Sequence, residues 1–323
     1  MGTPTAIRRS EADARPQDTR TRTAPAVSRR GWLLFAAMAV IWGLPYMLIK
    51  VAVDEIAPAT LVLARTVIAT ALLLPVALAR GQIRPLLPRW WPLVLYTVVE
   101  ICGPWLLLAY AEQRLSSSLT GLLVAGVPLV GALLARWGVD RERLGARRLV
   151  GLLVGLAGVA ALVGFEVGAG DARAVGAVAL VVIGYAAGPV ILSRSLADLP
   201  ALGVVAASLA LAAVSYLPAG IAQAPAHWPS TEVVLAVLVL AVVCTAVAFL
   251  VFFELIAEVG AARSTVITYF NPAVAVLLGV LVLGEAFTLA TAVGFALILV
   301  GSVLATSRRP AVPAEPAPAV SSR

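Results

Sequence analysis

The chain has 323 residues, of which 61% are hydrophobic and 13% are charged, and its formal net charge is +7. Soluble domains carry about 25% charged residues, so this composition excludes an ordinary soluble protein and indicates one embedded in a membrane. The positive charge lies in connections between apolar runs, where it is a signal of topology, and it gives no reason to expect a nucleic-acid partner.

Ten apolar segments follow one another along the chain, each close to the roughly 20 residues that cross about 30 Å of hydrocarbon. They are predicted at 32–53, 59–79, 91–111, 117–136, 148–166, 174–192, 200–222, 232–256, 263–283 and 287–306. The connections between them are short and leave no room for a soluble domain. Residues 1–31 and 307–323 are polar and proline-rich, which predicts two disordered tails.

Arginine placement predicts the orientation, because cytoplasmic loops keep the Lys/Arg excess. Arginines concentrate in the N-terminal tail and in two connections, at Arg80, Arg84, Arg89, Arg136, Arg141, Arg143, Arg147 and Arg148. With ten spans, both termini of this multi-pass protein of the plasma or inner membrane are expected in the cytoplasm. The same arginines suit anionic lipid headgroups as partners.

The sequence contains an internal repeat. Residues 139–151, "VDRERLGARRLVG", align with residues 282–294, "VLGEAFTLATAVG", so that Glu142 matches Glu285 and Gly151 matches Gly294. The repeat divides the chain into two five-helix halves, 32–166 and 172–306. Because five is odd, the second half crosses the membrane in the opposite sense. The predicted fold is therefore an all-α integral membrane protein of two inverted five-helix repeats, an architecture typical of secondary transporters.

A family resemblance rests on "IWGLPYMLIK" in the first segment, "SSSLTGLLVAGVPLVGALLA" in the fourth, and "VGAARSTVITYFNPAVAVLLGVLVLGE" in the ninth, followed by Gly294 and Gly301. With these motifs the chain resembles ten-helix EamA-type members of the drug/metabolite transporter superfamily over residues 32–306. The first half departs from the family pattern at "GVDRERL", where a Gly-Glu pair is usual. The resemblance implies a secondary transporter of small metabolites or drugs.

Ionisable side chains inside spans cost about 2.5 to 3.5 kcal/mol at a helix centre, so each one is a functional candidate. Glu100 shares one face of the third segment with Tyr96 and Pro104, at a spacing of four, and Pro104 is expected to free a backbone carbonyl there. Glu100 is expected to carry a coupling proton or to bind a substrate amine. The alternative is a structural carboxylate neutralised by Arg65 or by a hydrogen bond. Its counterpart in the second half is a valine.

Arg65, in the second segment, has three interpretations: it binds an anionic group, pairs with Glu100, or snorkels to the outer interface. In the first segment, Trp42, Tyr46 and Lys50 share one face. Tyr185 lies on the corresponding face of the sixth segment. The aromatic rings suit a cation or an aromatic ligand, and Lys50 suits a carboxylate. The alternative is an aromatic belt with an interfacial lysine.

Polar side chains also cluster beside Pro272 in the ninth segment, where Thr268 and Tyr269 line one face and Asn271 lies just off it. They are candidate substrate ligands, or they satisfy the backbone of a helix broken by proline. By contrast, Glu285 is expected to position the hairpin at the start of the last helix, where a carboxylate favours the positive helix end by about 0.3 to 1 kcal/mol.

These observations predict a secondary transporter that works by alternating access and exports amino-acid-like metabolites or drugs. Its expected partners are a small-molecule substrate, membrane lipids and protons. A channel and a flippase for lipids or isoprenoid carriers remain as alternatives, and so does a homodimeric state. No enzyme, cofactor or metal site is expected, because the one histidine, His227, lies in a loop and the chain has no HExxH motif.

Overall fold

The computed structural model describes residues 28–136, 145–166, 168, 171–260 and 264–306. Within these ranges it is helical without strands, with nine helices long and apolar enough to cross a membrane and a tenth, shorter apolar helix. The predicted ten-helix, all-α fold is confirmed. The tails before residue 28 and after residue 306, and Arg141, Glu142 and Arg143, lie outside the described residues.

We number the helices in chain order: α1 (Arg29–Ala52), α2 (Pro58–Ala79), α3 (Arg84–Glu112), α4 (Ser117–Leu134), α5 (Ala146–Glu166), α6 (Ala172–Ser195), α7 (Ala201–Ala222), α8 (Thr231–Val259), α9 (Val266–Leu281) and α10 (Leu289–Thr306). Polar residues define several starts. Ser28, Ser116 and Ser230 each accept a backbone N–H through the side chain, as N-cap serines do, and open α1, α4 and α8. The start of α3 lies earlier than predicted because a 3₁₀ turn, Arg84–Arg89, leads into it.

The helices pack in a pattern with two-fold symmetry between the halves. Three pairs of repeat-related helices pack against each other: α2 with α7, α4 with α9, and α5 with α10. The remaining large contacts also have counterparts between repeat-related helices. Helix α3 packs against α6, and in the same way α8 packs against α1. Helix α1 packs against α9, and in the same way α6 packs against α4. The core therefore lies between the halves, and neither half forms a separate bundle.

Contacts between helix ends establish that the second half is inverted. Lys50, near the end of α1, binds the end of α3 through the Glu112 carbonyl at 2.7 Å, so α1 and α3 run in the same direction. Arg89, at the start of α3, lies 2.9 Å from Asp198, just beyond the end of α6. Helix α6 is therefore antiparallel to α3 and to α1, its own repeat-related helix.

The bundle has two ends that differ in charge. We call the end with the starts of α1 and α3 the arginine face, which carries Arg30, Arg80, Arg84, Arg89 and Arg148. The opposite end, the acidic face, carries Asp54, Glu55, Asp171, Glu232 and Glu285, together with Arg114 and Arg173. The predicted segregation of arginine-rich and arginine-poor connections is thus present among the described residues.

Glycines allow α5 and α10 to approach closely. A Cβ built on Gly151 would lie 2.5 Å from the Ala305 nitrogen, and one on Gly158 would lie 2.8 Å from the Gly294 carbonyl. Atoms this close leave no space for a methyl group. Small residues such as these allow the backbones of membrane helices to approach each other closely.

Candidate functional site

A π-helical turn interrupts α3 and another interrupts α8, at related positions of the two halves. The turns are Thr97–Cys102 and Val242–Val247. Such turns are rare and frequently occur at functional sites. The predicted break beside Pro104 is present as this turn in α3, but α8 contains no proline near its own. The fourth residue of each turn is Glu100 in α3 and Thr245 in α8, whereas the sequence offset places a valine opposite Glu100.

Glu100 lies in the π turn of α3 and points at α6. Its Oε2 atom is enclosed and accepts no hydrogen bond from the described residues. A Cβ on Gly188 would collide with this carboxylate, and one on Gly184 would lie 2.6 Å from the Val99 carbonyl and 2.8 Å from the Pro104 ring. The two glycines of α6 are therefore what allows the π turn, with its carboxylate, to pack there.

Arg65 is buried, with 8% of its surface exposed. Its Nε atom donates to the Thr245 hydroxyl at 2.8 Å, and its guanidinium carbon lies 3.6 Å from the centre of the Trp105 ring. This stacked geometry is that of a cation–π contact. Among the described residues Arg65 forms no ion pair with Glu100, and its burial also excludes snorkelling to the outer interface.

Tyr185 lies near both charged groups and is close enough to interact electrostatically with Glu100 and with Arg65. Tyr46, which is buried at 7% exposure, is an electrostatic neighbour of Tyr185 from α1. Glu100, Arg65, Tyr185 and Tyr46 form what we call the central polar cluster. It brings a carboxylate, a guanidinium and two phenol hydroxyls together where α1, α2, α3 and α6 meet.

The other candidates of α1 and α3 lie around this cluster. Tyr96 is buried one turn before Glu100 and is its electrostatic neighbour. Trp42 packs against α8, with its ring centre 4.7 Å from that of Phe252. Lys50 donates to the carbonyl groups of Glu112 at 2.7 Å and Leu115 at 3.1 Å, so it closes the C-terminal end of α3.

The candidates of α9 are spread over its first turns. Asn271 has a buried Oδ1 atom that accepts no hydrogen bond from the described residues, and its carbonyl packs beside Gly43 of α1. Tyr269 instead hydrogen-bonds Thr306 at the end of α10, at 2.8 Å, which places it toward the arginine face. Thr268 is half-buried between them. The structure thus brings Asn271 to the α1 interface and leaves Tyr269 apart from the central polar cluster.

Glu112 is a buried carboxylate that sequence reasoning missed. It is 0% exposed, and neither carboxylate oxygen accepts a hydrogen bond from the described residues. The predicted third segment ended at residue 111, so Glu112 was counted as part of a connection. A signal was available, because Glu112 continues the spacing of four that runs from Tyr96 through Glu100 and Pro104.

Glu285 does not act at the start of α10, as was predicted, because that helix begins at Leu289. Its carboxylate accepts the backbone N–H groups of Ser117 at 2.7 Å and Ser118 at 2.9 Å. It therefore caps α4, a helix of the other half. The carboxylate does lie at the positive N-terminal end of a helix, as expected, but that helix is far away in the sequence.

Each face also carries a contact between the halves, and these two contacts are related by the repeat. At the arginine face, Arg89 of α3 binds the Ser195 carbonyl and Asp198 after α6. At the acidic face, the carboxylate of Glu55 accepts the N–H of Ser230, at the start of α8, at 2.7 Å. Hydrogen bonds from the Ser230 side chain and backbone lower the pKa of Glu55 below its ordinary value.

Comparison with known proteins agrees with this architecture. The model of the EamA-like transporter family matches residues 29–164 and again residues 172–307. A relative from Escherichia coli strain K12, "Uncharacterized inner membrane transporter YedA", is 29% identical over 87% of this chain and 92% of its own length. An "Uncharacterized transporter" from Archaeoglobus fulgidus is 26% identical over 86% of this chain and 97% of its own.

A solved structure described as "Crystal structure of protein" matches with a TM-score of 0.63 and 25% identity, covering 85% of this chain and 96% of that one. The duplicated family match spans both halves of the bundle, including the π turns and the central polar cluster. This chain therefore belongs to the EamA-like transporter family and is a membrane transporter.

Proposed function

We propose that the protein is a secondary transporter that exports small amino-acid-like metabolites or drugs by alternating access. The observation that carries this proposal is the central polar cluster, in which the buried Arg65 does not pair with Glu100, a half-buried residue whose Oε2 atom is enclosed. Charged side chains inside membrane helices are costly and are generally retained for function. An enclosed carboxylate beside a π turn, facing the other half of the bundle, is suited to bind a cation or a proton.

The chemistry of the cluster favours a small substrate with both polar and aromatic character. Glu100 provides a negative group for an amine, while Arg65 provides donors for an anionic group. Tyr46, Tyr185 and the stacked Trp105 supply flat apolar surfaces between these charges. An amino-acid-like molecule satisfies both charges at once, whereas a cationic drug would use Glu100 and the aromatic rings.

The symmetry of the packing supports alternating access. Arg89 with Asp198 at the arginine face joins α3 to α6, and Glu55 with Ser230 at the acidic face joins the repeat-related helices α1 and α8. Opening one end therefore breaks a contact whose counterpart at the other end is retained. Inverted repeats allow the two forms to have comparable energies, as in other secondary transporters.

We further propose that the arginine face is cytoplasmic, in the inner membrane, with both termini on that side. The support is the concentration of arginines at that end, since the Lys/Arg excess sets orientation. The acidic face would then open to the outside. Export is the direction in which a cytoplasmic metabolite would pass from the arginine face to the acidic face.

Counterflow in proteoliposomes tests the proposal. Vesicles loaded with unlabelled amino acids, nucleosides or cationic drugs should take up the matching labelled compound in a saturable manner. The Glu100→Gln variant should lose about tenfold or more of this exchange, which corresponds to about 1.4 kcal/mol. Glu254→Gln is a matched control, because Glu254 is 59% exposed and pairs with Arg30 at the arginine face.

The outcomes separate the competing functions. Flux that rises linearly with concentration and shows no counterflow would identify a channel and contradict alternating access. A rate of exchange that does not depend on a pH gradient, and that is unchanged in Glu100→Gln, would contradict a coupling role for that carboxylate.

A further inference from the structure

We propose that Glu112 is a proton-binding site at the acidic face, separate from the central polar cluster, and that binding of the proton closes that face. The inference rests on the proposed transport function, because opening and closing of a face are steps of that transport cycle. It stands on burial, unsatisfied oxygen atoms and the balance of charges around the last turn of α3.

The first observation is the enclosure of Glu112 without donors. Its two carboxylate oxygens, and the hydroxyl oxygens of Ser117 and Ser118, are buried and have no hydrogen-bond partner among the described residues. A carboxylate ion buried without donors is strongly disfavoured, whereas a neutral carboxyl group is far less costly. A protonated Glu112 also has an O–H to donate.

The groups that face Glu112 come from every helix packed around it. Helix α1 supplies an amine and a phenol, α6 supplies a phenol, and the α9–α10 turn supplies a carboxylate. These residues are Lys50, Tyr46, Tyr185 and Glu285.

The charges around the site balance only if Glu112 is neutral. The Lys50 ammonium lies on the carbonyl end of α3, and the Glu285 carboxylate lies on the amide end of α4. The carbonyl end of α3 carries about half a negative charge, and the amide end of α4 carries about half a positive charge. Together with the Lys50 ammonium and the Glu285 carboxylate, these charges sum to about zero. Arg114 and Asp171, which lie beside Glu285 at the same face, carry opposite charges that cancel. An ionised Glu112 would therefore add a whole negative charge to the sum. One proton removes this excess, whereas a metal ion would be repelled by Lys50.

The position of Glu285 connects this proton to the opening of the acidic face. Its carboxylate joins the α9–α10 turn to the start of α4 and thereby ties the two halves together. The contact is tight, because a Cβ on Gly279 would collide with Glu285 and with the Ser118 hydroxyl. Ionised Glu112 repels Glu285 and weakens this tie, and a proton on Glu112 relieves the repulsion.

A depression of about 260 Å³ opens at the acidic face, and Arg114, Asp171 and Glu285 lie in its wall. Glu112 is not in this wall, but Glu285 joins the depression to the α4 end beside which Glu112 is enclosed. In this proposal the proton enters from the acidic face, on the side of the bundle that it closes. An exporter that takes up a proton from outside before it returns to the inward-open form requires this order of events.

Spin-label distances test the inference without any substrate. Gln113→Cys and Phe287→Cys place labels on two exposed positions of the α3–α4 and α9–α10 turns, in full-length protein whose Cys102 and Cys244 are replaced by alanine. Pulsed EPR in lipid nanodiscs should show a long-distance population that grows about threefold between about pH 5 and about pH 9. Glu112→Gln should keep the short distance throughout this range.

Two variants serve as controls. Glu232→Gln removes an exposed carboxylate at the same face and should leave the pH response intact. Glu112→Asp keeps a titratable group and should retain a response with a displaced midpoint. If Glu112→Gln does not fold, Lys50→Met decides, since loss of the ammonium should move the midpoint to higher pH by about one unit or more.

The inference is overturned if the wild-type distances ignore pH, if Glu112→Gln responds like the wild type, or if Na⁺ at constant pH produces the same change. It is also overturned if Glu100→Gln abolishes the response and Glu112→Gln preserves it. Failure of transport with an intact pH response would contradict the proposed function alone. Transport combined with pH-independent distances would contradict this inference alone.

Discussion

The close crossing of α5 and α10 leads to a quantitative prediction at Gly301. A Cβ added there would lie 2.5 Å from the Gly155 Cα and 2.6 Å from the Gly151 carbonyl, whereas ordinary contacts begin at 3.4 Å. Because both nearest atoms belong to backbone, no side chain can rotate away. The Gly301→Ala variant therefore requires the two helices, one from each half, to separate by about 1 Å.

Two opposing terms set the size of the effect. Overpacking of a well-packed contact costs about 1 to 3 kcal/mol. Replacement of glycine by alanine inside a helix gains about 0.5 to 1 kcal/mol through reduced freedom of the unfolded chain. The difference between the two terms is a net loss of about 0 to 2.5 kcal/mol in the free energy of unfolding, with a midpoint of about 1 kcal/mol.

Gly164 provides the matched control, because it lies on α5, the helix that Gly301 contacts, and a Cβ there would have no atom within 4 Å. Gly164→Ala should leave the free energy of unfolding unchanged or raise it by about 0.5 kcal/mol. Equilibrium unfolding of both variants in detergent micelles measures the difference. Equal stability changes in the two variants would refute the claim that the crossing, rather than helix propensity, determines the role of Gly301.

Three further predictions concern charged groups. Gly188→Ala should displace the Glu100 carboxylate and reduce counterflow about tenfold or more, while circular dichroism remains that of the wild type. Arg65→Lys should reduce counterflow by a similar factor, because an ammonium loses both the planar stacking and the fixed fork of donors. Glu55→Gln should lower the melting temperature at neutral pH. Because hydrogen bonds from Ser230 lower the pKa of Glu55, the difference in melting temperature should be present at pH values above the ordinary pKa of a glutamate. It should disappear as the pH falls through the lowered pKa of Glu55. A difference in melting temperature that does not depend on pH would contradict this assignment.

The helices could be predicted from the sequence because apolar length alone determines what can cross a membrane. The inversion followed from the parity of the repeat, and the contacts of Lys50 and Arg89 agree with it. The glycines of α5 could be assigned to helix packing because small residues have few other uses in apolar helices. Each of these predictions depends on local pattern or on counting.

The parts that escaped prediction depend on contacts between distant residues. The π turn of α8 contains no proline or glycine that would indicate it in the sequence. Thr245 could therefore not be paired with Glu100 from the sequence. Glu285 carries a signal for capping, but the helix that it caps begins at Ser117, in the other half. Glu112 was missed for a simpler reason, since a boundary error of one residue moved it out of its helix.

The central polar cluster combines a symmetric scaffold with asymmetric chemistry. The first half contributes both charges, Glu100 and Arg65, whereas the related positions of the second half are neutral. They are Thr245 in the π turn of α8 and Ser208, which aligns with Arg65 in the repeat and has a buried hydroxyl without a partner among the described residues. A substrate held by the charged groups would therefore stay with the first half as the halves move. We expect substitutions of the charged residues to change which substrate is selected. Substitutions of the neutral partners Thr245 and Ser208 should instead change how readily the site exchanges between the two faces.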